Sequence, residues 1–171
     1  MASLVEELID VLGEEQQQYD ALLKVSLEKT SVIVSNNLTR LQEIAVQEQD
    51  ILDVLVNLDK KRDTCMSSIA SVLNKRVKHL TVSHIIELME GQPEYQQPLA
   101  KLHTELTHTI KQLREVSSHN QDLLQGAIEM TEFEINLIQS LKQAPETANY
   151  SRESYSGATL GASVSAFDAK Q

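Results

Sequence analysis

Between residues 1 and 90 the chain has one glycine, Gly13, and no proline; the three prolines all come later, at 93, 98 and 145. Sheets joined by tight turns need frequent glycine and proline, so a β-sandwich and an α/β enzyme are both excluded. A small number of long helices is what such a chain can build. The apolar spacing agrees. Leu4, Leu8, Val11/Leu12, Tyr19, Leu22/Leu23 and Ile33 recur at three and four, as do Leu41, Ile44, Ile51/Leu52, Leu55, Leu58, Cys65, Ile69 and Val72/Leu73. Ser35-Asn36-Asn37 interrupts the two patterns, and asparagine is both a turn former and a helix N-cap, with Asn37 expected near the cap.

The expected helices are about 3–34, 38–78, 81–90 and 94–143. The second weakens into Lys75-Arg76-Val77-Lys78, where cations suit the helix dipole. Thr81 or Ser83 could cap the short connector helix, which Gly91 and Pro93 then stop. Along the last helix a seam runs from Leu99 through Leu106, Thr109, Leu113, Asn120, Leu123, Ala127, Met130 and Glu134 to Leu141. It alternates steps of three and four over six heptads and is apolar at ten of its thirteen positions. The expected fold is all-α: an elongated antiparallel three-helix bundle with coiled-coil-like packing over 1–144. A flexible tail over 145–171 follows. Of the tail's 27 residues, 14 are Ser, Ala, Gly or Thr, too little apolar surface to offset ordering.

Charge narrows the function. With 25 acidic and 15 basic residues the net charge is −10, which argues against nucleic acid and anionic membranes as partners. The opening MASLVEELIDVLGEE carries acids where a signal peptide needs a basic start, and the longest charge-free stretch, 154–167, is half Ser, Thr or Gly. A cytosolic protein is expected. One cysteine, Cys65, allows no internal disulfide and lies on an apolar stripe, so it reads as a core thiol.

No catalytic constellation is present, and no cofactor or metal is expected. Glu105-Leu-Thr-His108 matches half of a di-iron helical element, but no second Glu-x-x-His exists. Glu15, Glu48 and Asn120 sit where apolar side chains belong; they are either exposed at a bundle edge or buried to fix helix register. By level along the helices, Glu48 is the expected partner of Asn120.

Helix lengths of about 48, 61 and 75 Å leave the third long helix overhanging its neighbours beyond about residue 135. There the sequence stays apolar. The positions flanking the seam change from the mostly polar His103, Thr107, Ile110, Arg114, Ser117 and Gln121 to Leu124, Ile128, Thr131, Ile135 and Ile138. Either the first helix packs there, or a partner's amphipathic helix does.

Glu15-x3-Tyr19-x2-Leu22-Leu23, Lys29, Ile33-Val34-x-Asn36-Asn37-Leu38-x2-Leu41-x2-Ile44-x3-Glu48-Gln49 and Leu58-Asp-Lys-Lys-Arg62 resemble the FlgN family of flagellar export chaperones. So do Thr81-x3-Ile85-Ile86-x-Leu88, Asn120-x2-Leu123-Leu124 and the ending Phe167-Asp-Ala-Lys-Gln171. The markers fall in the right order along the whole chain. Asn36-Asn37 departs from an expected Gly-Asp at the turn.

The resemblance implies a cytosolic chaperone of type III flagellar export. It would bind the C-terminal segments of the hook–filament junction proteins FlgK and FlgL, prevent early assembly and deliver them to the export gate component FlhA. It also implies substrate contacts from the end of the third long helix, here Leu123, Leu124, Ile128, Met130, Ile135, Leu137, Ile138 and Leu141. Tyr150 or Tyr155 would dock on the gate. A different reading keeps the same apolar row and makes it a homodimer seam of a structural coiled-coil protein.

Overall fold

The computed structural model describes residues 2–74 and 80–143, and all the regular elements among them are helices. They are α1 (Ala2–Val34), α2 (Leu38–Val72), α3 (Val82–Leu88) and α4 (Pro93–Gln143). The chain divides into two compact units, 1–132 and 133–171.

The turn after α1 shows why its two asparagines stand there. Asn36 takes φ +52°, a left-handed conformation that asparagine tolerates better than other non-glycine residues. Asn37 caps α2, its side-chain oxygen accepting the Arg40 N–H at 3.0 Å. The pair therefore performs the two jobs that Gly-Asp would. Thr81 caps α3 in the same way, accepting from the His84 N–H at 3.2 Å. Gly91 turns at φ +97° before Pro93 opens α4.

The second helix stops at Val72, not near residue 78 as its apolar stripe suggested. Leu73 caps it, and Asn74 at φ +53° takes the left-handed position that commonly closes a helix. The basic run 75–78 lies outside the described residues.

Within the first unit, ion pairs align α1 against α2 in opposite senses: Arg62 with Glu15, Lys29 with Glu48 and Arg40 with Glu28. Hydrogen bonds set α4 alongside α1 in the same sense, from Tyr95–Glu6 through Thr109–Asp20 to Asn120–Thr30. The apolar core gathers Val5, Leu8 and Leu12 of α1, Ile69 of α2, Ile85 of α3 and Leu99 of α4. Cys65 is buried in it, and burial pushes its thiol up from the ordinary range, which disfavours the thiolate.

Of the polar residues on the apolar stripes, Glu15 and Asn120 are buried and Glu48 is half-buried. Glu15 is 2% exposed, and both its oxygens accept from Arg62 Nη1, at 3.1 and 2.9 Å; Asp59 holds the other side of the guanidinium. Burial raises the Glu15 pKa above 4.5, and Arg62 opposes the rise without cancelling it. The folded state therefore holds this proton more tightly than the unfolded chain. The contribution is complete below the unfolded pKa and is lost as pH climbs through the folded one. Urea titrations of E15Q and the parent chain from pH 4.5 upward are expected to show the variant gaining relative stability with rising pH. A difference that does not change with pH would show that this carboxylate is not perturbed.

Candidate docking site at the end of the first unit

The seam of α4 is inward-facing up to Asn120 and half-buried at Leu123; from Ala127 its residues are exposed. The last buried member, Asn120, is 4% exposed. Its amide donates to the Ser26 carbonyl at 2.8 Å and its oxygen accepts from Thr30 Oγ1 at 2.7 Å. Glu48 is not its direct partner. That carboxylate accepts from Lys29 Nζ at 2.6 Å and, more weakly, from Ser26 Oγ at 3.5 Å. Ser26 links the two residues, so Asn120 and Glu48 do share a level.

Past this polar layer a hollow of about 240 Å³ opens between the α1–α2 turn and α4. Val32, Ile33, Leu38 and Leu41 line one side, and Leu124, Ala127, Ile128 and Thr131 the other. Val32 and Ile33 are buried, as their place on the core stripe requires. By contrast Leu38 is 66% exposed and Ile128 52% exposed. A second hollow, of about 310 Å³, adjoins the first and shares Leu124 and Ile128 with it. Its lining is polar: Ser26, Lys29, Glu48, Ser117, Gln121 and Gln125.

Of the residues the sequence marks for partner binding, Leu124 and Ile128 line the apolar hollow, Leu123 is half-buried and Met130 is exposed. In the second unit Ile135, Leu137, Ile138 and Leu141 are each about half exposed or more, on the helical stretch 133–143. Tyr150 and Tyr155 lie outside the described residues. Val32, Ile33, Leu38 and Leu41 were not marked. Their signal was the pair of apolar residues on each side of Asn36-Asn37, which a helix-by-helix reading assigns to two cores.

Among the described residues no group of three or more His, Cys, Asp or Glu could hold a metal, and no helix is long and apolar enough to cross a membrane. The arrangement leaves large apolar side chains exposed on a helical scaffold, beside an apolar hollow. The family model for FlgN protein matches residues 1–154, and the chain belongs to the FlgN family. That is a family of flagellar export chaperones. No curated protein and no solved structure gives a significant match.

Proposed function

We propose that this chain is a cytoplasmic chaperone of type III flagellar export that binds the C-terminal segments of FlgK and FlgL and delivers them to FlhA. On this reading α1, α2 and α4 act as a long three-helix bundle with α3 as connector. The substrate contacts come from Leu123, Leu124, Ile128, Met130, Ile135, Leu137, Ile138 and Leu141 of α4. The observation that carries the reading is the row of large apolar side chains left exposed on α4: Ile128, Met130, Ile135, Leu137, Ile138 and Leu141. A helix with one face uncovered over that length is stable in isolation only at a cost that a partner helix removes.

Tyr150 or Tyr155 is assigned to gate docking. Leu160, Val164 and Phe167, spaced at four and three, give the tail one helical face for folding against an apolar surface. Weak, reversible docking suits handover, because ordering a free segment consumes part of the contact energy.

Calorimetric titration of the FlgK and FlgL C-terminal segments into the full chain tests the function, with saturable binding expected for both. Deleting residues 146–171 is expected to leave both affinities unchanged and to abolish secretion of the junction proteins. Normal secretion by the deleted chain would remove the tail from the delivery step.

A further inference from the structure

The two hollows beside α4 are one slot. They share Leu124 and Ile128, α1 forms a common floor through Ser26, Val32 and Ile33, and the walls are α2 with its preceding turn on one side and α4 on the other. The α4 wall, from Ser117 to Glu132, is about 22 Å long, the length of roughly four helical turns. The slot is lined by helices and by the Asn36-Asn37 turn, and none of the described elements is a strand, so no sheet edge is available to an extended peptide. Whatever occupies the slot must satisfy its own backbone, which means a helix.

The charges around the slot select which helix. The cations in and beside it are already held: Lys29 of the lining by Glu48 at 2.6 Å, and Arg40, outside the lining near the turn, by Glu28 and Glu43 at 2.7 Å each. On the opposite wall Glu132 has no ion-pair partner among the described residues, and Glu129, outside the lining and one turn from Glu132 on the same helix, accepts from the Gln125 amide. From residue 115 to 141 there are five acidic residues and no lysine or arginine. A second copy would bring this same acidic stretch against itself. The chain's own tail, 145–171, carries three acidic and two basic residues and offers no complement either.

We infer that the slot between the α1–α2 turn and α4 takes a basic amphipathic helix from another protein, its apolar stripe against Leu38, Ile33 and Ile128 and its cations toward Glu129 and Glu132. This rests on the chaperone reading and adds to it a second wall and a charge class for the substrate helix. The turn wall also divides the slot by polarity. The occupant's apolar turns belong at the Leu38 end and a polar residue at the end where Lys29, Glu48 and Gln121 line the cleft.

The test uses the full chain and four labelled probes: the FlgK and FlgL segments, a synthetic Leu/Lys amphipathic helix and its Leu/Glu counterpart. L38N removes an exposed apolar side chain next to the cap and is expected to weaken the Leu/Lys probe and the natural segments about tenfold. E129K/E132K is expected to weaken them about tenfold in low salt, with the loss shrinking in high salt. The Leu/Glu helix is expected to bind more weakly than the Leu/Lys helix at every salt concentration. Equal binding of the two synthetic helices, or unchanged binding by L38N, would overturn the inference. Tighter binding after deletion of 146–171 would make the tail the occupant, and an L38N-sensitive homodimer would make it a second copy; each overturns the proposal. If the Leu/Lys probe behaves as expected while FlgK and FlgL do not bind, the slot stands and the assignment of those substrates falls.

Discussion

Replacing both Ile135 and Ile138 with Glu is expected to abolish binding of the FlgK and FlgL segments while leaving helicity and Tm nearly unchanged. Each side chain is about half exposed, so a carboxylate there meets water and costs little in the free chain. In a complex the same carboxylate would be buried against the apolar face of the partner. Two such uncompensated charges cost several kcal/mol, roughly a thousandfold or more in affinity. Circular dichroism on the variant separates the outcomes. Lost binding with intact folding supports the proposed surface, whereas a collapse of helicity would make these residues core and remove them from the site.

The second large effect is expected at Asn120, in stability and not in binding. Its amide donates to the Ser26 carbonyl at 2.8 Å, from a side chain that is 4% exposed. N120D keeps the shape, removes that donor and places a buried carboxylate oxygen against the carbonyl. The expected cost is about 3 kcal/mol, roughly 10 °C in Tm. N120L removes the polar atoms but leaves Thr30 Oγ1 only its bond to the Ser26 carbonyl, at 3.3 Å. Its cost is expected to be about 1 kcal/mol, because Thr30 Oγ1 and the Ser26 carbonyl still bond each other and neither is left without a partner. Equal losses for the two variants would mean that the site responds to packing alone and that Asn120 is no register lock.

These residues also show what could be read from the sequence. Asn36-Asn37 announced a turn with a cap, because a left-handed position and an N-cap ask for side chains asparagine can supply. The α4 seam was legible as far as Leu123, since a buried stripe must be apolar at the helical period. Beyond Leu123 the period continues but burial does not; Met130, Leu137 and Leu141 are exposed although they keep the spacing. Periodicity reports that a face is apolar, not what covers it.

The partner of Asn120 was missed for a related reason. Level along the helices was right, yet Ser26 and Thr30 look like ordinary surface residues in the sequence, and the acceptor that matters is a backbone carbonyl, which no side-chain pattern displays. Glu48 meanwhile is taken by the nearer cation, Lys29. The early end of α2 was hidden because the caps involved, Leu73 and Asn74, carry no glycine or proline to mark them. The turn wall was missed because Leu38 and Leu41 fit the α2 stripe equally well, and only three-dimensional placement puts them opposite Leu124 and Ile128.

The central claim is that the exposed apolar face of α4 is satisfied by a junction-protein segment and not by a second copy of the chain. Size exclusion with multi-angle light scattering, on the full chain alone and mixed with the FlgK or FlgL C-terminal segment, tests it most directly. The expected result is a complex whose mass equals one chain plus one segment, formed with either segment, and a chain alone near its 19.1 kDa mass at all concentrations. A chain alone of twice that mass that neither segment alters would contradict the account.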